Sequence, residues 1–532
     1  MRKALVFLPI ILILFLNITL INNFSFYETT VSDEDTLYFS SLNILEHNSL
    51  SPQNTLNSEL NTCLITSYIY SIDKNKDLYF NISPTSALFY SYFMSILGNN
   101  FFFYFPIIFS SLILMFIFLI TYRLTKSNIG SYGVVLLVFF FPVFYKLNLG
   151  YYDIIPTVFF LLVSVYFLIP KKPSKKDYLF SSLFFILAIS IRISEAIYLF
   201  PIILFIFIKE NNIKEILLWL TPIIFFIFSI LFFNYHFFND PLFLSKTQIT
   251  FYPCYSTNNG LIPSTLSETL RYFYVGDEKL SFMFSHIVFF YKFLFLFWIF
   301  GVISMIGIFW CTEKREYSYV FLYISIFMTT IFLYGHSNIY YGFMEYNLQN
   351  SFLRYSLFSF LLLFSFFGFF IDRIKSNWVN YKKILISSLL IIILSLSLIN
   401  TYNFNKNGIK EYTQNKEDIS LSRDYIQGLL DNNTFIITTA ISDKVIPPSF
   451  DHIISVEKYY TNDQVSQSTL LDDLNHLVSN LLKDNKTVFF VIHKFSDKTE
   501  TKDFLNSKFN LTEVNSTKIV TIYNVTFQNV AQ

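Results

Sequence analysis

Long apolar stretches, separated by short polar connections, run through the first four hundred residues of the chain. A helix needs roughly 20 predominantly apolar residues to cross the hydrocarbon core of a bilayer. The stretches that meet or approach this length predict transmembrane helices at residues 4–21, 101–122, 131–146, 153–169, 178–192, 195–208, 215–236, 287–310, 317–335, 352–371 and 383–401. The fold is therefore predicted to be mainly α, with a polytopic helical membrane domain of about eleven transmembrane helices over residues 1–402. The two short stretches around residue 193 form either a tight helical hairpin or one broken element.

Residues after about 403 change in character, because the apolar runs shorten and the charge rises. The pattern predicts buried strands at 435–440, 452–456 and 487–492, and amphipathic helices at 468–484 and 498–509. Strands that alternate with helices indicate a small α/β domain, which we place at residues 403–532. This region has no glycine-rich phosphate loop and no nucleophile elbow. We interpret it as a structural, lid or acceptor-binding domain.

Composition and charge support the membrane class and give it an orientation. Of 532 residues, 53% are hydrophobic and only 14% are charged, which excludes a soluble enzyme, and a net charge of +1 argues against a nucleic-acid partner. By the positive-inside rule the basic connections and the amino terminus face the cytoplasm. The first apolar stretch is predicted to be a retained signal anchor. An odd number of spans then places residues 403–532 outside the cell membrane. The basic residues are Arg2, Lys3, Arg123, Lys126, Lys171, Lys172, Lys175, Lys176, Lys209, Lys214, Lys314, Arg315, Arg373, Lys375, Lys382 and Lys383.

Three consecutive acids, Asp33, Glu34 and Asp35, lie about a dozen residues after the first apolar stretch. Tyr38, Leu42 and Leu45 follow with the spacing of one helical face, and Leu37 and Ile44 lie beside them. The pattern predicts a short helix along the membrane surface that holds acids at the mouth of a membrane protein. The alternative is a solvated charge run that only ends a transmembrane helix. Cys63 and Cys254 fall in loops on the same outer side, where a disulfide is possible.

A fourth acid, Asp153, begins the stretch 153–169 on the outer side. An aspartate well inside the bilayer costs roughly 2–3 kcal/mol, so acids at this depth usually line a cavity. One carboxylate of a pair can accept the proton of a hydroxyl while another orients the group or binds a divalent ion. The candidate catalytic residues are therefore Asp33, Glu34, Asp35 and Asp153. Asp33, Asp35 and Asp153 are also the candidate ligands if the protein binds Mg²⁺ or Mn²⁺.

Arg354 and Tyr355 begin the tenth span, on the same outer side. An arginine there opposes the positive-inside pattern, and its rigid donor fork suits a lipid phosphate. The alternative is an arginine whose long side chain only reaches the interface. Arg192 is a third candidate for phosphate binding, although it can simply pair with Glu195.

The order of these features resembles the GT-C glycosyltransferases of the protein O-mannosyltransferase and aminoarabinose-transferase-like group. The resemblance covers about residues 1–400. It rests on the acids before Tyr38, the segment Leu78-Tyr-Phe-Asn-Ile-Ser-Pro84, Asp153 at the head of a span, Arg192 and Pro201 in a helical pair, and Arg354-Tyr355 at the start of a late span. Glu34 and Asp35 stand where the family usually has Asp-Glu, and no lysine precedes Pro84.

The resemblance implies a polyprenyl-phosphate sugar as donor and a protein, lipid or glycan as acceptor. It implies an inverting displacement in which an acid from Asp33–Asp35 is the base. Asp153 would assist acceptor or metal binding, and Arg354 would hold the departing phosphate. A transporter or flippase for a lipid-linked substrate is the rival class. Transporters often show internal repeats and midplane sites, whereas this chain shows no repeat and its acids lie at the outer rim. A membrane anchor for the external domain is a third interpretation, but an anchor needs far fewer spans.

Overall fold

The structure is a computed structural model. It describes residues 32–49, 70–72, 78–80, 84–147, 153–238, 277–297, 299–311, 313–334, 351–377, 388, 395, 409–431, 433–438, 453–455, 467–493, 500–518 and 520–528. The predicted spans 4–21 and nearly all of 383–401 lie outside these residues, as do Cys63 and Cys254.

The chain is compact in two units. The first contains residues 1–26, 100–242 and 265–412, and the second contains 27–99, 243–264 and 413–532. The predicted acidic helix therefore belongs to the same unit as the C-terminal region. The division into domains 1–402 and 403–532 stays a prediction.

The described elements begin with α1 (Ser32–His47), β1 (Tyr70–Ile72), β2 (Leu78–Phe80) and α2 (Pro84–Leu97). The helices of the first unit follow: α3 (Phe101–Thr125), α4 (Asn128–Phe139), α5 (Pro142–Leu147), α6 (Ile154–Leu168), α7 (Lys175–Ile191), α8 (Leu199–Glu210), α9 (Ile213–Phe238), α10 (Asp277–Phe297), α11 (Ile299–Ile308), α12 (Lys314–Tyr334), α13 (Ser351–Tyr355), α14 (Leu357–Phe364) and α15 (Phe367–Asn377). The chain continues with α16 (Ile409–Gln427), β3 (Thr434–Thr438), β4 (Ile453–Ser455), α17 (Gln467–Lys483), β5 (Thr487–His493), α18 (Glu500–Lys508), β6 (Phe509–Ser516) and β7 (Val520–Phe527).

Membrane-crossing length is met by three helices in the described part of the chain: Phe101–Thr125, Ile213–Phe233 and Lys314–Tyr334. The protein is thus mainly helical and has apolar helices that can span a bilayer, as predicted. The predicted spans 178–192 and 195–208 correspond to two helices, α7 and α8, joined by a 3₁₀ turn at Ile193–Tyr198. The predicted spans 131–146, 287–310 and 352–371 are each divided into shorter helices.

The break between α4 and α5 has a local cause. Pro142 cannot donate a backbone hydrogen bond, and a proline disfavours the helical conformation of the residue before it. The break between α14 and α15, at Ser365 and Phe366, accompanies contacts with other helices. The Tyr319 hydroxyl donates to Ser365 Oγ at 3.2 Å, and a side chain at Gly307 would collide with the carbonyl of Phe366. Sequence periodicity does not report such contacts.

Small and polar side chains hold the helices of the first unit close together. A Cβ atom added to Gly130 of α4 would lie 2.7 Å from the carbonyl oxygen of Gly368 in α15, so only glycine permits this approach. Ser164, Ser181 and Trp219 link α6, α7 and α9, because the two serine hydroxyls are 3.0 Å apart and the indole N–H donates to Ser181 Oγ at 3.0 Å. Small residues at close helix contacts and hydrogen bonds between helices are both typical of helix packing in membranes. Lipid tails are as apolar as the helix side chains, so the burial of apolar surface does not by itself favour contact between helices.

In the second unit, α1 packs against α2. A helix over these residues is confirmed, and Leu37, beside the predicted stripe, is buried, but the other buried side chains described in the helix are Ser40 and Ser41. The two serine hydroxyls donate to the Leu37 carbonyl at 3.0 and 2.6 Å. Their polarity is thereby satisfied, and serines can occupy a buried face that the sequence pattern assigned to apolar residues.

The C-terminal part of this unit contains a five-stranded sheet in the order β4-β3-β5-β7-β6. Strands β4, β3 and β5 are parallel, and β7 and β6 are antiparallel to their neighbours. One face of the sheet packs on α17 and α18 through residues such as Leu474 and Leu505, and the other packs on α16 through Ile426. The predicted small α/β fold is confirmed here. The sequence pattern does not predict α16, β6 or β7.

Candidate functional site

Charged and aromatic side chains converge at one end of the first unit. We call this group the arginine–tyrosine cluster; its members are Asp153, Arg192, Glu195, Tyr334, Arg354 and Tyr355. Asp153 immediately precedes α6, where the helix dipole favours a negative charge. Arg192 follows the last residue of α7 and has an extended backbone, with φ −134° and ψ 98°. The packing of α6 against α7 brings these two ends together.

Arg192 bridges two carboxylates. Its Nη1 donates to Asp153 Oδ1 at 2.7 Å, and its Nε donates to Glu195 Oε1 at 3.3 Å. The three side chains are largely buried, with exposed fractions of 10% for Arg192, 15% for Asp153 and 2% for Glu195. Buried charges need such partners, so the two acids fix the guanidinium in position.

Two tyrosines extend the cluster. Tyr334, the last residue of α12, donates its hydroxyl hydrogen to Glu195 Oε1 at 3.0 Å. Its ring stacks on that of Tyr355, with centroids 4.3 Å apart and an interplanar angle of 15°. The Arg192 guanidinium lies 4.9 Å from the centroid of the Tyr355 ring, within the range of a cation–π contact. The tyrosine pair thus connects the Arg192 ion pairs to α13.

Arg354 approaches the same ring from its own helix. Its guanidinium also lies 4.9 Å from the Tyr355 centroid, and its Nη2 donates to the Tyr355 hydroxyl at 2.9 Å. Two guanidinium groups are therefore gathered around a single tyrosine. The formal charges of the cluster cancel, with two guanidinium groups and two carboxylates, but a pair of rigid donor forks is still suited to hold phosphate or carboxylate oxygens.

The cluster lies at the opposite end of the helices from the basic connections. Helix α12 contributes Tyr334 to the cluster at its last residue, and its 21 residues span about 30 Å, the thickness of a bilayer core. Near its first residues, Arg315 Nη2 donates to the carbonyl of Leu124 at 3.1 Å, and Lys171 pairs with Glu313 at 3.3 Å. Several of the predicted basic connections thus meet at one end of the unit, and the cluster occupies the other.

Four of the seven predicted site residues are in the cluster: Asp153, Arg192, Arg354 and Tyr355. The other three, Asp33, Glu34 and Asp35, begin α1 in the second unit, and their side chains lie outside the described residues. Burial and the nearby Glu46 raise the pKa of Tyr38 on this helix, so its phenol stays protonated at neutral pH.

Glu195 and Tyr334 make more of the contacts in the cluster than the sequence predicts. The sequence indicates Glu195 only as a partner for Arg192 and does not indicate Tyr334. Both touch the same network, since Glu195 accepts from Arg192 and from Tyr334. The signal available for Glu195 was a second acid three residues after a membrane-level arginine. Tyr334 is one of 37 tyrosines, and its sequence position alone does not distinguish it.

The predicted Mg²⁺ or Mn²⁺ site at Asp33, Asp35 and Asp153 stays a prediction. No group of three or more histidine, cysteine or acidic side chains suited to a metal ion occurs among the described residues. Within that part of the chain, Asp153 is engaged by Arg192 at 2.7 Å, so a cation at Asp153 would have to share this carboxylate with the guanidinium.

These features define a polytopic membrane protein with a largely buried cluster of two arginines, two carboxylates and two tyrosines at one end of its helices. A family model described as dolichyl-phosphate-mannose-protein mannosyltransferase matches residues 81–233. The structure is similar to that of ArnT from Cupriavidus metallidurans bound to undecaprenyl phosphate, with a TM-score of 0.57 and 8% identity over 98% of each chain. The apo crystal structure of the same ArnT aligns with a TM-score of 0.44 and 8% identity, over 98% of this chain and 97% of that one. No curated protein sequence matches the chain.

The match over residues 81–233 and the ArnT-like fold confirm the predicted resemblance to the GT-C glycosyltransferases. The family match supports the class predicted from the sequence, a membrane glycosyltransferase. The matched segment contains Asp153, Arg192 and Glu195 of the cluster.

Proposed function

We propose that the protein transfers a sugar from a polyprenyl-phosphate donor to an acceptor on the outer face of the membrane. The observation that carries this proposal is the gathering of Arg192 and Arg354 around Tyr355 at one membrane end of the helices. ArnT, which has a similar fold, was crystallised with undecaprenyl phosphate, and this is the class of lipid we propose for the present site.

The two arginines have different proposed tasks. Arg192 is fixed by Asp153 and Glu195, so it offers a guanidinium already oriented before a ligand arrives. Arg354 donates to a neutral phenol, and exchanging that bond for one to a phosphate oxygen would give a stronger, charge-assisted hydrogen bond. Preorganised donors of this kind stabilise charge that develops in a transition state.

The proposed reaction breaks the bond between the anomeric carbon and the phosphate oxygen of the donor. The acceptor oxygen forms a new bond to that carbon from the opposite face, with inversion. The acceptor proton passes to a carboxylate of Asp33–Asp35, and the electron pair of the broken bond stays on the polyprenyl phosphate. Arg192 and Arg354 bind this leaving phosphate. Asp153 acts as a positioning residue for Arg192, and acceptor binding or sharing of a divalent cation is its alternative role.

The proposed topology has about eleven spans, a cytoplasmic amino terminus and an extracytoplasmic C-terminal α/β region. It rests on the positive-inside pattern and on the separation of the basic connections from the cluster. The acceptor is a protein, a lipid or a glycan. A flippase for a lipid-linked substrate would need the same phosphate contacts but would leave the sugar bond intact.

Deletion of the gene tests the proposed function in cells. We expect mass spectrometry of surface glycans and glycolipids to show one sugar substituent missing from the deletion strain, with the polyprenyl-phosphate sugar accumulating. Wild-type protein should restore the substituent. Asp153→Asn should restore little of it, because the amide cannot hold Arg192 by an ion pair, although the protein should still insert. Unchanged glycans in the deletion strain would contradict the proposal.

A further inference from the structure

The basic end of the first unit contains a cavity of about 660 Å³. It lies among the end of α3, the start of α12 and helix α15. Four basic residues line it, namely Arg123, Lys126, Lys171 and Arg315, together with the apolar side chains of Trp310 and Phe369. This volume is within the range of small-molecule sites. The cavity lies at the opposite end of α12 from the arginine–tyrosine cluster, so the proposed transfer reaction does not account for it.

Two of the basic side chains of the cavity, Arg123 and Arg315, are held in defined positions by hydrogen bonds to backbone carbonyls. The Arg123 guanidinium stacks on the Tyr166 ring at 3.6 Å and donates to the Tyr166 carbonyl at 2.8 Å. Arg315 has an exposed side-chain fraction of only 11%, and its Nε has no hydrogen-bond acceptor among the described residues. A buried donor without an acceptor costs free energy, which an anionic ligand would recover.

Three carboxylates also line the cavity, but two of them have structural tasks. Glu316 accepts the backbone N–H of Glu313 at 3.0 Å and so caps the start of α12. Glu313 pairs with Lys171 at 3.3 Å and, more weakly, with Arg315 at 3.7 Å. The third is Asp372. The four basic and three acidic lining residues leave a net charge of +1.

We propose that this cavity binds the phosphate of an anionic phosphate ester, supplied by a phospholipid headgroup of the cytoplasmic leaflet or by a soluble phosphate compound. Basic pockets between membrane helices on the cytoplasmic side are typical sites for anionic headgroups. Arg123 and Lys126 contact the phosphate, and Arg315 donates through Nε. Glu313 is the competing anion, because it occupies Lys171 and part of Arg315 when no ligand is bound. The apolar wall at Trp310 and Phe369 receives the glycerol and upper acyl chain of a lipid.

Trp310 gives a direct readout in the purified full-length protein. Phosphatidylglycerol with brominated acyl chains, added to nonionic detergent micelles, should quench its fluorescence at a low mole fraction and saturate. Brominated phosphatidylcholine should quench weakly and without saturation. A Trp310→Phe variant supplies the background of the other three tryptophans.

Two variants of the cavity are expected to change the affinity for phosphatidylglycerol in opposite directions, and a third is a control. Lys126→Gln removes a cation that makes no hydrogen bond to the described protein, so the fold should persist, and half-maximal quenching should need about fivefold more phosphatidylglycerol. Glu313→Gln removes the competing anion and should lower that amount. Lys176→Gln, an exposed basic residue at the same end of the unit but outside the cavity, should change nothing.

Inorganic phosphate distinguishes the two sources. Millimolar phosphate that displaces the brominated lipid would assign the site to a soluble phosphate ester, and failure to displace it would assign the site to the lipid headgroup. Equal quenching by the two phospholipids would overturn the proposal. So would a Lys126→Gln protein that binds phosphatidylglycerol as the Lys176→Gln protein does.

Discussion

Replacing Arg192 by glutamine is expected to lower the free energy of unfolding by about 3–5 kcal/mol, because it leaves two buried carboxylates without their cation. Asp153 and Glu195 have exposed fractions of only 15% and 2%, so water would compensate for little of the lost guanidinium. Thermal unfolding of the detergent-purified protein measures the effect. Lys172→Gln, a change to an exposed basic residue at the other end of the unit, is the control and should unfold as the wild type does.

A double variant separates folding from function. Arg192→Gln combined with Glu195→Gln removes the more deeply buried of the two stranded charges, so it should recover a large part of the lost stability. It should not recover transfer activity, because the proposed phosphate-binding guanidinium is still absent. Recovery of wild-type activity by the folded double variant would remove Arg192 from the phosphate site and leave it a structural ion pair.

Arg354→Lys should reduce the turnover number by about 10²–10³-fold although the charge is kept. Lysine supplies a point charge without the planar fork, and the loss should be greatest when charge collects on the leaving phosphate. The KM for the polyprenyl-phosphate sugar should change much less than kcat. Arg354→Ala should be worse than Arg354→Lys. Initial rates of the three proteins in vesicles measure these differences.

Tyr355→Phe is the matched control for Arg354, because it removes only the hydroxyl that accepts from Nη2 and leaves the ring in place. We expect a decrease in kcat of less than about tenfold, since one neutral hydrogen bond is worth about 1 kcal/mol. A lysine variant with wild-type turnover would show that any long basic side chain serves at this position.

Much of the helical part could be predicted, because the thickness of the bilayer sets the length of the apolar stretch that a transmembrane helix needs. The breaks within it could not. Pro142 is a visible helix breaker, but the ends of α14 and α15 depend on contacts such as that of Tyr319 with Ser365. A sequence window contains only one side of each such contact.

The C-terminal sheet shows the same division. Strands β3 and β5 are runs of β-branched and aromatic residues that are buried on both faces, and both were found. Strands β6 and β7 alternate apolar residues with asparagine and threonine, and the pattern was weak in a chain this rich in asparagine. Helix α16 was missed because most of its residues are polar.

The chemistry of the site was more predictable than its geometry. Arg354 was identified because a guanidinium on that side opposes the charge pattern, and Asp153 because an acid at a span boundary is costly. Their partners could not be identified in the same way. Asp153 meets Arg192 across 39 positions only because α6 packs against α7, and Tyr334 reaches Tyr355 through the packing of α12 beside α13.

The most direct test of glycosyl transfer uses purified protein in vesicles that contain a polyprenyl-phosphate sugar, with membranes of the deletion strain as the acceptor source. Free polyprenyl phosphate and glycosylated acceptor are quantified in the same reaction. Transfer predicts that both products form in equal molar amounts with the wild-type protein, and that Arg354→Ala forms almost none of either. Movement of intact donor across the bilayer, with no free polyprenyl phosphate released, would contradict a transferase and indicate a flippase.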